Sequence, residues 1–224
     1  MELKSNKIYS VMTGDIISSG QLKTSHKSTI PDILKNVTKQ AKKAFPGTIL
    51  YDISIFRGDS WQLVIDKPEQ ALRLALYFRA SLISRSDSSR IDTRIGIGIG
   101  KIDYLPEENI SAGNGEAFLL SGEALEVINK KQTLHLRHTN AKKEAYFNII
   151  LGLIDTISQD WSSKQARAVK GALQGMSQSE IATIWQPEIS QQSVTRHLNR
   201  AGWQNLVRAL DFFAKDISHD IQLY

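Results

Sequence analysis

Two Gly-Asp pairs and one acid-free polar helix are the parts of this 224-residue chain whose residue types could do chemistry. Asp15 follows Gly14 at the end of an apolar run, and Asp59 follows Gly58 in FRGDSW. Carboxylates are hard oxygen ligands, so two that converge beside freed backbone amides could hold magnesium and a triphosphate. The residues after Asp15, namely Ile17, Ser18, Ser19 and Gly20, would supply amides to phosphate, and Arg57 sits in the turn with Asp59. The competing reading is that Gly-Asp is a common turn dipeptide and that each Asp caps its own loop. Near the C-terminus, MSQSEIATIWQPEISQQSVTRHLNRAGW has two amphipathic segments joined through Pro187 and Ile189. Val194, Leu198 and Ala201 form the inner face of the second, and Gln191, Gln192, Thr195, Arg196, Asn199 and Arg200 the outer one. No acid occurs between 190 and 208, so Arg196 and Arg200 could meet phosphates while Gln192, Thr195 and Asn199 address base edges. A plain three-helix bundle with a polar face, or a helix-turn-helix used for protein contact, would show the same pattern.

The elements that must position these groups follow from periodicity. A buried strand over 8–13 stops at Gly14-Asp15, and apolar residues at three- and four-residue spacings make 30–45 an amphipathic helix with Pro31 in its first turn. TILYDISIF and WQLVI read as a hairpin whose turn carries Asp59, and 68–84 as a second helix. RIGIGIG alternates Ile with Gly inside a strand, so it is no dinucleotide fingerprint, which needs its glycines in the turn that opens a helix. A helix over 112–129, a strand QTLHLRHT and a long helix over 142–157 complete the order β-α-β-β-α-β-α-β-α. Two βαβ crossovers joined through a hairpin describe an α+β, ferredoxin-like βαββαβ sheet. In such a sheet strands one and three are neighbours, and the hairpin lies at the edge where strand one ends, so Asp15 and Asp59 converge. Beyond Asp160 the strand signals vanish and helices are expected at 162–174, 177–185, 190–200 and 202–214, with Ser177 and Glu180 forming a capping box. The expected division is a sheet domain over 1–141, a connecting helix over 142–159 and a small all-α helix-turn-helix domain over 160–224.

Composition narrows the classes. With 41% hydrophobic and 23% charged residues, 14 Gly and 5 Pro, the chain is an ordinary folding sequence, and no run of apolar residues is long enough for a membrane span or signal peptide. A cytoplasmic protein without membrane contact is expected. The absence of Cys removes disulfides, zinc ribbons and thiol nucleophiles. Net charge is +5, yet 160–224 holds seven Lys and Arg against six Asp and Glu. One copy would therefore neutralise few phosphates, and a homodimer reading two half-sites of double-stranded DNA is expected.

TGDIISSG at 13–20, FRGDSWQLVI at 56–65 and TRIGIGIGKI at 93–102 resemble, in order and register, the motifs of class III nucleotide cyclases and their diguanylate cyclase relatives. The chain is more similar still to the SatD-like family, a cyclase-like domain followed by a helix-turn-helix, with AGNGEAFLLSGEAL at 112–125 resembling that family's helix. The resemblance implies metal ligation by Asp15, the Ile16 carbonyl and Asp59, and a dimer formed through the cyclase-like domain. It is incomplete. Ile55 stands where the cyclases carry a base-reading Lys, and Ala117 and Ser121 where they carry transition-state Asn and Arg. RGDSW also lacks the second acid of the diguanylate turn. Without a cation on the developing charge, turnover loses several kcal/mol. The expected function is thus a DNA-binding transcriptional regulator whose cyclase-like domain binds a magnesium nucleotide without turnover. The rival expectations are a magnesium-dependent nucleotide cyclase or nucleotidyl transferase, and a degenerate cyclase fold serving as a protein-interaction module.

Overall fold

Alternation of Ile with Gly from 95 to 100 gives one strand two unlike faces, and the molecule is built around that difference. The computed structural model describes residues 7–17, 29–85, 90–106, 110–129 and 132–222. Its five strands are β1 (Ile8–Ile16), β2 (Ser54–Phe56), β3 (Ser60–Ile65), β4 (Thr93–Lys101) and β5 (Leu134–His138), ordered β2-β3-β1-β4-β5. Only β4 and β5 run parallel. The expected α+β sheet is present, with β1 central between β3 and β4.

The sheet helices are α1 (Ile30–Ala44), α2 (Ala71–Ile83), α3 (Glu116–Glu126) and α4 (Ala141–Ser158). Ile95, Ile97 and Ile99 point into the main core with Met12, Trp61, Leu63 and the inner faces of α1 and α2. Trp61 stacks on Phe78 at 5.2 Å, a pair worth about 1 kcal/mol beyond its buried area. On the other face α3 lies flush on the glycines. A Cβ on Gly98 would stand 2.3 Å from the Ala117 carbonyl oxygen and 2.4 Å from the Ser121 nitrogen, distances no side chain tolerates.

Several boundaries differ from the sequence reading. β1 runs on through Gly14-Asp15 to Ile16 because β3 and β4 pair with it on both sides to that point. The segment 48–53 makes one isolated bridge, Ile49 to Ile65, and leaves the sheet where exposed Asp52 turns outward to pair with Lys42 at 2.5 Å. The third helix starts at Glu116, after a single 3-10 turn at Ile110–Ala112.

Four further helices follow: α5 (Ser163–Leu173), α6 (Gln178–Ala182), α7 (Gln191–Arg200) and α8 (Trp203–Gln222). Ser162 and Ser177 each close a capping box, and Ser190 caps α7 through the Ser193 amide. Apolar packing continues across the expected boundaries at 141 and 159. Trp161, Val169, Ile181, Leu198, Leu206 and Phe213 belong to the same hydrophobic cluster as Met12, Trp61 and Ile97. Buried charges cross the same boundary. Arg79 is fully buried and donates to both oxygens of Asp92 at 3.0 and 2.9 Å, to Asp155 at 3.3 Å and to Ser158 at 2.6 Å. Among the described residues no helix is long and apolar enough to cross a membrane.

Candidate functional site

Strand pairing brings the two Gly-Asp motifs to one end of the sheet. Asp15 lies opposite Ser60 in the β1–β3 register, and the Ile16 amide donates to the Asp59 carbonyl at 3.2 Å. Asp15, Ile16 and Asp59 are therefore neighbours, with Arg57 exposed on the same hairpin. The two glycines have different causes, close packing at Gly14 and backbone conformation at Gly58. A Cβ on Gly14 would strike the Trp61 ring at 2.5 Å, and Gly58 carries φ 83° in a turn where Arg57 already has φ 54°.

The residue that sequence reasoning missed is Arg94. It stands opposite Asp15 across the β1–β4 pair, donating from Nε to Oδ1 at 2.8 Å and from Nη2 to Oδ2. This two-pronged hydrogen bond, with the Asp15 charge, raises the guanidinium above its usual value against an opposing effect of burial. The signal lay in the alternation itself. In β4, Arg94, Gly96, Gly98 and Gly100 share one face, and pairing with β1 sets Arg94 over an acid of opposite sign. Above this pair the face is polar: Gln62 donates to the Thr13 hydroxyl at 3.0 Å, which lies 2.8 Å from the Ser121 hydroxyl.

These partners bear on a metal. Magnesium takes six oxygens in near-octahedral array, commonly one or two carboxylates with several waters. The described residues at this end give it two carboxylates, one already spanned by Arg94, and none form a cluster of three or more acids or histidines that could hold an ion. The Ile17 amide, expected among the phosphate donors, donates instead to the Asp92 carbonyl at 2.9 Å. Ser18, Ser19 and Gly20 lie outside the described residues. The Arg94 guanidinium would have to give way before a cation could take both carboxylates. Of the remaining positions, Ala117 and Ser121 are fully buried against β4, and Ile55 packs into the main core.

The second constellation is α7. Val194 and Leu198 are buried, while Gln191, Gln192, Arg196, Asn199 and Arg200 are exposed along the outer face. Thr195 is half-buried, and its hydroxyl donates to the Gln178 amide oxygen at 2.6 Å, which ties α7 to α6. The helix before it is shorter than the expected 177–185. It ends at Ala182, and the connection to α7 runs from 183 to 190, longer than the three or four residues of a minimal helix-turn-helix. Pro187 disfavours helical backbone at Gln186, so the chain leaves in tight turns, Ile184 donating to Ile181 and Trp185 to Ala182. Trp185 then stacks on His197 at 6.0 Å. Burial, followed by the charges of Lys164, Arg200 and Arg196, pushes His197 below the usual imidazole value.

The SatD family model matches residues 9–210. Among solved structures, the active GGEEF domain of a diguanylate cyclase from Vibrio cholerae is similar at 15% identity and TM-score 0.39, over 54% of this chain and 75% of that one. A bacterial light-regulated adenylyl cyclase is similar at 15% identity and TM-score 0.41, over 58% of this chain and 43% of that one. The guanylyl cyclase Cya2 gives 12% identity and TM-score 0.39, over 58% and 74%. No curated protein matches in sequence.

Proposed function

The chain belongs to the SatD family over residues 9–210, and from that premise we propose that it is a DNA-binding regulator whose cyclase-like sheet is retained without turnover. The observation that carries the DNA reading is the outer face of α7: five exposed side chains of Gln, Arg and Asn, on a helix without an acid, docked through Val194 and Leu198. Arg196 and Arg200 are four residues apart and so share a face, with Gln192 one turn before and Asn199 beside them. A helix of this kind fits the major groove, where guanidinium and amide groups read base edges. Thr195, held by Gln178, serves the docking of the helix rather than the reading of bases.

What supports a sheet without turnover is Arg94, whose guanidinium spans both oxygens of Asp15, together with apolar or buried residues at 55, 117 and 121. Recognition of a nucleotide at this end rests on the motifs at 13–20 and 56–65 alone, with Arg57 as its cation. Selection of bound duplexes from a random pool tests the reading, followed by titration of the selected site against Arg196→Ala and Arg200→Ala. Each change should cost about 1–3 kcal/mol of binding and relax preference at its own position. Unchanged affinity in the double variant would refute it. Product formed from NTPs in an Asp15-dependent manner would instead establish an enzyme.

A further inference from the structure

Outside α7, the cations of α5 and α1 form a surface that the recognition helix does not explain. Lys164, Arg167 and Lys170 follow one stripe of α5, about 9 Å long at 1.5 Å per residue. No acid lies between 161 and 179. At its start the stripe meets α7. Lys164, Arg196 and Arg200 all act on His197, and Arg167 lies over the Trp185 ring at 5.3 Å, the ring that stacks on His197. At its other end Lys170 donates to Gln40 of α1 at 2.7 Å, with Arg85 close enough to oppose its charge. From Gln40 the exposed face of α1 turns outward through Lys43, Lys39 and Lys35. Asp32 in the first turn and Asp52, paired with Lys42, are the acids that border this face.

The geometry points to a continuous track for the phosphate backbone of double-stranded DNA, running from Arg196 and Arg200 across α5 onto Lys39 and Lys43 of α1. Like charges gathered in this way repel one another in the free protein, and an anion spaced along the track relieves that repulsion. A duplex strand presents a phosphate for every 3.4 Å of axis, so about 9 Å of α5 faces two or three of them. Through α1 the track adds contacts outside the C-terminal helices, whose own charge is close to balanced, and puts part of the DNA affinity on the sheet's first helix. It carries no base specificity, because phosphate contacts position the duplex without reading it.

This inference rests on the DNA reading of α7, and the test separates the two. The 224-residue chain is titrated with a selected duplex by fluorescence anisotropy between about 50 and 200 mM KCl. The wild type is compared with Lys39→Gln/Lys43→Gln, Lys164→Gln and Arg196→Ala/Arg200→Ala, each checked for an unchanged thermal melt. Each phosphate contact contributes about 0.9 to the slope of log affinity against log salt. The α1 pair should therefore lower the slope by about 1.8, so that the fall in affinity across this salt range shrinks by about tenfold, on selected and random duplexes alike. A slope unchanged in the α1 pair, with affinity still lost in the α7 pair, would overturn the track and leave the DNA reading standing. Absence of duplex binding by the wild type at 50 mM KCl, or binding to phosphatidylserine vesicles in its place, would overturn both.

Discussion

Replacing Arg79 with Met should destabilise the whole molecule, sheet and C-terminal helices together. The guanidinium has no exposed surface and balances two carboxylates, Asp92 at the start of β4 and Asp155 near the end of α4. Breaking a buried ion pair from one side costs about 3–5 kcal/mol, since the partners stay buried with uncompensated charge. The lower end applies here. Asp92 keeps Arg90 at 3.3 Å and the Thr93 amide at 2.9 Å, and Asp155 keeps the amides of Thr133 and Leu134 at 2.8 and 3.1 Å. A loss of about 3 kcal/mol corresponds to a fall in Tm of about 6–12 °C for a chain of this size. Urea denaturation followed by far-ultraviolet circular dichroism and by tryptophan fluorescence measures it. Of the four Trp, only Trp61 lies in the sheet, so fluorescence weights the C-terminal helices. The two transitions should coincide before and after the change. A loss below about 1 kcal/mol, or a fluorescence transition separating from the dichroism in the wild type, would refute the shared core.

Three further outcomes follow from the geometry. Gly98→Ala should cost about 1–3 kcal/mol, because the new Cβ meets helix backbone at 2.3 Å, whereas Gly122→Ala on the same helix α3 has open space and should gain about 0.5–1 kcal/mol; chemical denaturation of both checks the contrast. His197 and His135 are held below the ordinary imidazole value, mainly by burial, then by Lys164, Arg200 and Arg196 for His197 and by Arg137 for His135, against Glu144. The unfolded chain then takes up protons first, so their stabilisation is complete above about pH 6.5 and is lost as pH falls below it; urea midpoints at pH 7.5 and 6.0 should differ, and His197→Gln should narrow the difference. Arg94→Met should uncover Asp15 and let manganese bind near Asp59, an affinity that calorimetry would find weaker in the wild type and lost again in Asp15→Asn/Arg94→Met. Equal manganese binding with and without Arg94 would show that the guanidinium does not compete for the carboxylate.

The order of elements was legible because period-two and period-3.6 patterns differ sharply in segments such as Trp61–Ile65 and 30–45. The neighbourhood of Asp15 and Asp59 was legible for the same reason, since a split sheet allows few strand orders. Arg94 escaped because its partner is fixed by cross-strand register, which no single segment displays. The early end of α6 escaped because Ile181, Ala182 and Trp185 keep helical spacing past Ala182, where the helix ends. The shared core escaped because the loss of strand signals after Asp160 marks a change of secondary structure, and the apolar faces of α2 and α5 carry no sign of which surface they meet.

A shared core constrains how regulation could act on α7. A ligand at the Asp15 end changes DNA affinity only if it prefers one of two states that differ in how α7 is presented. Within one chain those states are costly. Thr93 joins the Asp15 carbonyl at 2.7 Å, its amide joins Asp92, and Asp92 joins Arg79, which holds the end of α4 through Asp155 and Ser158. Arg90 continues to the Trp161 carbonyl at 2.5 Å, and the Trp161 indole donates to the carbonyl of Ala201, the residue that follows α7. A hinge over 142–159 would have to break the contacts of buried Arg79, a loss of about 3 kcal/mol, the upper end of what a small ligand's differential affinity supplies. On the DNA reading, any such pair of states would have to differ between copies of the chain rather than inside one. If both the DNA reading and a dimer hold, a monomer held apart by dilution binds a single half-site with an affinity that no ligand of the sheet changes, and a ligand-dependent shift at that dilution would refute the argument.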